Sequence, residues 1–243
     1  MSDRLDLSVV LPAYNEGVFI EKVVEHIDNV IKQSKLRYEL VVVDDGSADD
    51  TRSKVTNYAN NNGHVRVISY NRNIGKGFAI KTGFLQSRGN AVVFADSDLD
   101  IDPRQITSYF ETLKAADMVI ASKWHPKSHV EIPLLRRFLS YGFNMLVKLL
   151  TGIRVTDTQT GLKAVKRDAF EKVFRALAVK KYAFDVELLV LANLCGLSVA
   201  ELPVNVRMHC LFSFKDVWRM FLDLLGITYR LRVAKWYSLA IKQ

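Results

Sequence analysis

Three aspartates stand at every second position in Ala91–Asp102 (AVVFADSDLDID): Asp96, Asp98 and Asp100, directly after the apolar run Ala91–Ala95. That run has the length and character of a buried parallel strand. A buried strand cannot continue through unpartnered carboxylates, because each ionised group loses several kcal/mol of hydration and its like-charged neighbours add to the cost. A hard divalent cation at the end of the strand relieves that cost. Mg²⁺ and Mn²⁺ take oxygen ligands and keep positions open for phosphates. An acidic, solvated loop after a strand satisfies the same residues, so this stretch alone leaves both readings open.

The elements that must position these carboxylates follow from the hydrophobic pattern. Leu7–Leu11, Tyr38–Val43 and Val65–Ser69 read as strands like Ala91–Ala95, with helices between them; Val18–Ile31 shows Ile20, Val23, Val24, Ile27, Val30 and Ile31 at helical spacing. Strands alternating with helices at this interval predict an α/β fold with a mostly parallel central sheet flanked by helices, with ligands at the carboxyl ends of its strands. Each of the four strands empties into a polar loop: Pro12–Glu16 (PAYNE), Asp44–Ser47 (DDGS), Asn71–Gly77 (NRNIGKG) and Asp96–Asp100 (DSDLD). All four are expected to converge on one edge, which favours a site over a solvated loop.

Beyond Pro103 the pattern predicts a helix over Gln105–Ala115 and a strand over Asp117–Ser122. Lys123–Pro133 reads as a polar, irregular loop over the site, followed by a strongly apolar helix, Arg136–Leu150. A short strand is expected within Asp157–Arg167, then helices over Asp168–Ala176 and Phe184–Cys195, and a last strand, Ser198–Arg207, whose Pro203 favours a sheet edge. We expect a nucleotide-binding half (1–122), an acceptor half (123–210) and a basic, aromatic helical tail (211–243).

The chain's 243 residues, 49% of them hydrophobic, suffice for one large core. A net charge of +8 suits nucleic acid, an anionic membrane or phosphorylated substrates equally. Cys195 and Cys210 show no metal or redox spacing, and the five histidines form no zinc pattern. No signal-peptide pattern opens the chain, and its uncharged segments are too short to span a bilayer.

Taken together, Pro12–Glu16, Asp44–Ser47, Asn71–Gly77 and Asp96-Ser97-Asp98 resemble the loops of glycosyltransferase family 2, inverting enzymes of GT-A fold. The second half narrows the likeness. Asp157–Gly161 (DTQTG), Ala183–Leu189 (AFDVELL), and Arg136 with Tyr141–Phe143 resemble the dolichyl-phosphate β-glucosyltransferase branch, kin of the dolichyl-phosphate mannose synthases. The resemblance implies a nucleotide-sugar pocket from Pro12, Ala13, Tyr14, Glu16, Asp44, Asp45, Gly75, Lys76, Gly77, Asp96 and Ser97. It implies Mg²⁺ or Mn²⁺ on Asp96 and Asp98, with Asp100 as a further ligand. It also implies glucose transfer from UDP-glucose to a polyprenyl phosphate; mannose from GDP-mannose, or a saccharide hydroxyl as acceptor, are the alternatives. Arg136, Arg137 and Lys123 are the candidates to hold the acceptor phosphate, since guanidinium forks suit phosphate oxygens. Asp98, Arg136, Asp157 and Gln159 are the candidate catalytic residues, the last two at the acceptor end.

The tail from Lys215 combines Trp218, Phe221, Leu222, Leu225, Trp236 and Tyr237 with basic residues. With Phe138–Leu150 it is expected to seat the protein peripherally on the cytoplasmic face of a membrane, unless both segments pack on the sheet or on a second copy in a homo-oligomer. No helix-turn-helix, zinc-finger or RNA-binding signature accompanies the basic charge, so nucleic acid is not an expected partner.

Overall fold

A computed structural model describes residues 4–97, 102–207 and 214–241. Asp98, Asp100 and Cys210 lie outside the described residues. The chain runs β1 (Leu5–Ala13), α1 (Ile20–Lys32), β2 (Tyr38–Asp44), α2 (Thr51–Asn60), β3 (Val65–Ser69), α3 (Lys76–Gln86) and β4 (Gly89–Phe94). It continues with α4 (Gln105–Thr112), β5 (Met118–Ser122), β6 (His129–Glu131), α5 (Leu134–Thr151), β7 (Lys163–Lys166), α6 (Arg167–Ala176) and α7 (Phe184–Leu194). It ends with β8 (Val199–Pro203), β9 (Asn205–Arg207), α8 (Phe214–Arg232) and α9 (Trp236–Ala240).

The main sheet has seven strands in the order β3-β2-β1-β4-β7-β5-β8. The first four in that order are mutually parallel neighbours, so their carboxyl ends share one edge, as expected. β7 alone runs antiparallel to its neighbours β4 and β5. Both faces are covered, which explains the unbroken apolar runs. Val9, Leu11, Leu40, Val42 and Val93 pack with α1, and the residues between them, Val10, Val41, Val43, Val92 and Phe94, pack on the other face with α3, α6 and α7. There the ring of Phe84 stacks on Phe174 at 3.8 Å.

Two expectations are corrected. Lys123–Pro133 is not wholly irregular, because it contains β6, and Ser198–Arg207 is two strands. β8 forms the edge of the main sheet, where Pro203, its last residue, is tolerated. The chain then leaves that sheet, and β9 pairs in parallel with β6. Val204 makes the transition: its N–H donates to Ser128 Oγ (3.0 Å) and its carbonyl accepts from His129 N–H (3.0 Å).

α7 is buried on all sides from Phe184 to Ala192, so its two acids must find partners indoors. Asp185 pairs with Lys163 (2.8 Å). One oxygen of Glu187 accepts from the N–H groups of Ala178 (2.9 Å) and Val179 (2.7 Å), and the other accepts from the Tyr237 hydroxyl (2.5 Å). Arg230 donates to both Tyr237 Oη (2.9 Å) and Glu187 (3.4 Å). This network latches α8 and α9 to the core. Arg232 serves another contact, donating to the carbonyl of Leu150 at the end of α5 (2.7 Å).

Tyr237→Phe removes a buried hydrogen bond to a charged group. It is expected to cost about 1.5–3 kcal/mol in urea denaturation without changing the cooperativity of unfolding.

Candidate active site

The loops after β1 and β2 are stitched to each other by polar side chains. Asn15 takes a positive φ of 56°, its N–H donates to Ser47 Oγ (2.9 Å), and its side-chain oxygen accepts from Ala48 N–H (2.9 Å). Glu16 N–H donates to Thr51 Oγ1 (2.8 Å) and Gly17 N–H to Asp49 (3.0 Å). Asp44 accepts from Ser47 N–H (3.0 Å), closing the DDGS turn. Asp45 organises the next loop. Its carboxylate accepts from Tyr70 Oη (2.7 Å), Ile74 N–H (2.9 Å) and Gly75 N–H (2.8 Å). Burial and the Asp45 carboxylate push the Tyr70 phenol well above its ordinary range. Gly75 has φ of +127°, and a Cβ there would come within 2.5 Å of Lys180 O, so a side chain is excluded both by backbone and by space.

These loops enclose a cleft of about 380 Å³ at the carboxyl edge of the sheet. Of the expected nucleotide-sugar residues, Pro12, Ala13, Tyr14, Glu16, Asp45, Gly75, Lys76, Asp96 and Ser97 line it. Asp44 and Gly77 are not on its wall. Asp44 is buried within its turn, and a Cβ on Gly77 would meet Phe184 Cβ at 2.6 Å, so Gly77 lets α3 approach α7. Five further residues line the cleft: Asn73, Lys181, Tyr182, Asp216 and Arg219. Asn73 belongs to a loop already singled out. The others come from segments distant in sequence, and only the docking of the 178–183 segment against α3, through Phe78 N–H to Lys180 O (3.1 Å), and of α8 brings them in.

Asp96 is the one expected metal ligand among the described residues. Its carboxylate faces the cleft and pairs with Lys76 Nζ at 2.5 Å. Burial alone would raise its pKa, but Lys76, with Lys163 and Lys123 further off, holds it below the usual carboxylate range. An oxygen donor that draws a cation to itself at the end of a parallel strand fits a hard divalent ion. Gly161 makes room for it, since a Cβ there would lie 2.0 Å from Asp96 Oδ2.

The 157–161 turn connects Asp96 to the acceptor-side candidates. Asp157 is fully buried, and both its oxygens are engaged: Oδ2 accepts from Lys123 N–H (2.9 Å) and Thr160 Oγ1 (2.6 Å) and pairs with Lys123 Nζ (2.9 Å), while Oδ1 accepts from Gln159 N–H (3.1 Å). Burial opposes its ionisation, yet the Lys123 ammonium and the Thr160 hydroxyl hold its pKa below the ordinary value. Asp185 goes the other way, pushed up by burial that Lys163 only partly offsets. Lys123 and Arg137 share a second pocket, of about 320 Å³, with Trp124, His125 and Ser128. Arg136 precedes Arg137 on the first turn of α5 and is half-buried. Gln159 opens instead on an apolar groove of about 370 Å³ between α5 and α8, lined by Phe138, Phe143, Leu146, Trp218 and Phe221. The expected residues are therefore distributed over a polar cleft, a cationic pocket and an apolar groove, joined by the 157–161 turn.

A parallel sheet carrying a carboxylate-bearing cleft at its carboxyl edge, with one antiparallel strand beside β4, is the architecture of a nucleotide-dependent transferase of GT-A fold. Residues 8–174 match the family model described as Glycosyl transferase family 2, and the chain belongs to that family. Among its relatives, a dolichyl-phosphate beta-glucosyltransferase of Mus musculus is 33% identical, over 97% of this chain and 78% of the mouse protein. One of Dictyostelium discoideum is 30% identical, over 96% of this chain and 77% of its own length. A crystal structure of glucosyl-3-phosphoglycerate synthase from Mycobacterium tuberculosis, in complex with Mn²⁺, UDP-glucose and glycerol 3-phosphate, superposes with a TM-score of 0.69. It is 21% identical and covers 93% of this chain and 79% of its own. At that identity the likeness is one of fold.

The Lys123–Asp157 pair carries a stability prediction with a definite sign. Lys123→Met leaves a buried carboxylate without its cation and is expected to cost about 3–5 kcal/mol at pH 7. The pair's contribution is present above the ordinary carboxylate pKa and is lost as pH falls through the depressed folded value. Urea denaturation of both proteins at pH 7 and at acid pH is therefore expected to show the gap between them narrowing towards acid.

Proposed function

We propose that this protein is a metal-dependent, inverting glucosyltransferase that moves glucose from UDP-glucose to a dolichyl or other polyprenyl phosphate. The observation that carries the reading is the junction at the 157–161 turn. Gly161 abuts Asp96 of the donor cleft, Asp157 holds Lys123 of the cationic pocket and Gln159 lines the apolar groove, so one turn borders the surfaces that a nucleotide sugar, a phosphate and an isoprenoid chain require. The kinship with dolichyl-phosphate beta-glucosyltransferases supports the same acceptor and sugar.

Pro12, Ala13, Tyr14, Glu16, Asp45 and Gly75 shape the nucleotide's pocket, and Lys76 offers a cation for the diphosphate. Asp96 and Asp98, with Asp100, would hold Mg²⁺ or Mn²⁺, which supplies charge stabilisation to the departing diphosphate when bound. Arg136, Arg137 and Lys123 steady the acceptor phosphate and Gln159 the mouth of the groove. A phosphate oxygen attacks the anomeric carbon from the face opposite the leaving group. The new C–O bond forms as the bond to the β-phosphate breaks, and UDP departs with the electron pair. The acceptor arrives as an anion, so no proton must be removed. A saccharide hydroxyl would need a general base. Asp157, with both oxygens engaged and its basicity lowered, is poorly suited to that task.

The outer surface supports work at a membrane. Leu134, Phe138, Tyr141, Met145 and Leu149 are exposed along α5, and Trp218, Leu222, Leu225 and Tyr229 along α8. Each set follows helical spacing, so each helix carries an apolar stripe on its outside as well as a buried one. Phe138 and Trp218 also line the groove, so the two stripes flank it. Among the described residues, no helix is long and apolar enough to cross a membrane. We place the protein on the cytoplasmic face, with the stripes in the headgroup region.

A panel of nucleotide sugars, offered with a polyprenyl phosphate and Mn²⁺ or Mg²⁺, is expected to give a lipid-linked hexose from UDP-glucose; absence of lipid product from every donor would overturn the reading. Asp98→Asn is expected to remove most turnover, on the order of 100-fold or more, while circular dichroism is unchanged. Changing Leu222, Leu225 and Tyr229 together to serine is expected to leave the protein in the soluble fraction of a liposome flotation that lifts the unaltered chain.

A further inference from the structure

Four residues on the wall of the donor cleft lie beyond residues 8–174, the span that matches the family model: Lys181, Tyr182, Asp216 and Arg219. The proposed mechanism gives them no task. Two are cations that reach the cleft from separate segments, Lys181 from the stretch before α7 and Arg219 from α8. The remaining cation on the wall, Lys76, is already drawn to Asp96.

Lys181 is held by its backbone and stem rather than by its charge. Its carbonyl accepts from Phe184 N–H (3.3 Å), and the carbonyl of Lys180 accepts from Phe78 N–H (3.1 Å), which docks the segment on α3. A Cβ on Gly75 would lie 2.9 Å from Lys181 Cγ, so the stem crosses the 71–77 loop beside Lys76, where the glycine leaves it room. The side chain is exposed, and its ammonium makes no hydrogen bond or ion pair among the described residues. α8 stands within electrostatic reach. Burial pushes up the carboxyl of Asp223 on that helix, and the Lys181 and Arg230 cations offset part of the rise. Asp216, Arg219 and Asp223 follow helical spacing, so they share the face of α8 turned to Lys181. The Arg219 guanidinium approaches Asp216 only to 3.9 Å, longer than a hydrogen bond, and so keeps its donors for a ligand.

We infer that Lys181 and Arg219 form a second cationic wall that takes the diphosphate of the nucleotide donor. The inference rests on the nucleotide-sugar reading of the cleft and assigns two residues within it. A departing nucleoside diphosphate carries more negative charge than one divalent ion neutralises, and Lys76 is shared with Asp96. Cations with unspent donors on the same wall supply the difference. Arginine's planar fork can hold two phosphate oxygens at once, and lysine adds a mobile point charge on a long stem. With Arg219 on α8, the donor's charge is met by the same helix that walls the apolar groove through Trp218 and Phe221.

Lys181→Met and Arg219→Met keep an unbranched stem and remove the charge. Both residues are exposed, so the melting temperature is expected to stay where it is. Titrated with UDP in the presence of Mn²⁺, each variant is expected to bind about tenfold more weakly than the unaltered chain. Uridine, which carries no phosphate, is expected to bind all three proteins equally. Lys180→Met removes the same charge one residue away, from an exposed side chain off the cleft wall, and is expected to leave UDP affinity unchanged. In turnover, the KM for UDP-glucose is expected to rise in K181M and R219M while the KM for the polyprenyl phosphate holds. UDP affinity unmoved in either variant, a loss that uridine shares, or an equal loss in K180M overturns the inference. Failure of the wider reading looks different: UDP binding depends on Lys181 and Arg219, yet no lipid-linked sugar forms from any donor.

Discussion

Three carboxylates brought to the carboxyl edge of one sheet, and the three lysines that neutralise them, set the terms for this structure. Asp96 pairs with Lys76, Asp157 with Lys123 and Asp185 with Lys163. Any one of these acids, buried without its cation, would be strongly destabilising. Two of the pairs are deeply buried, although Lys123 also borders the cationic pocket. The third, Lys76–Asp96, opens on the polar cleft. The same residue types thus form buried pairs and a pair that faces a cleft, and solvent access separates them.

The second organising feature is α7. A helix apolar on every side has no reason to carry Asp185 and Glu187 unless each holds something in place. Asp185 fixes Lys163 beneath the site. Glu187 ties the 178–179 backbone and, through Tyr237 and Arg230, the two C-terminal helices. α8 reaches the donor cleft through Asp216 and Arg219 and walls the apolar groove with Trp218 and Phe221. One helix, latched from below, therefore borders both the donor cleft and the groove. That is a physical route by which the cleft and the groove are held in register.

Family 2 membership and the proposed lipid acceptor fit the division of surface character. The polar cleft and cationic pocket lie at the sheet edge, while the outward stripes of α5 and α8 flank the groove. A substrate with a charged head and a long hydrocarbon tail demands such a boundary, since its tail is costly to expose to water and its head costly to bury unpaired.

Much of this was legible in the chain itself. The runs around Val9, Val41, Val67 and Val93 read as strands, and the four polar loops behind them had to share an edge once the strands were parallel. Asp45, Gly75, Lys76 and Asp96 are on the cleft because local pattern and parallel topology already put them there. Other matters were not local. Nothing in AVKKYA or in the first turn of α8 marks Lys181, Tyr182, Asp216 and Arg219 as cleft residues; they arrive by packing of segments far apart in sequence. The parting of β8 from β9 likewise depends on β6 being present to pair with. Lys123 reads in sequence as a loop cation, and only the approach of the 157–161 turn shows it bound to Asp157. The sequence by itself determined which residues sit at strand ends, because hydrophobic period and turn chemistry act over a few residues. Only the tertiary structure decided which charges neutralise each other and which face a ligand, because pairing and solvent access depend on segments that meet in space.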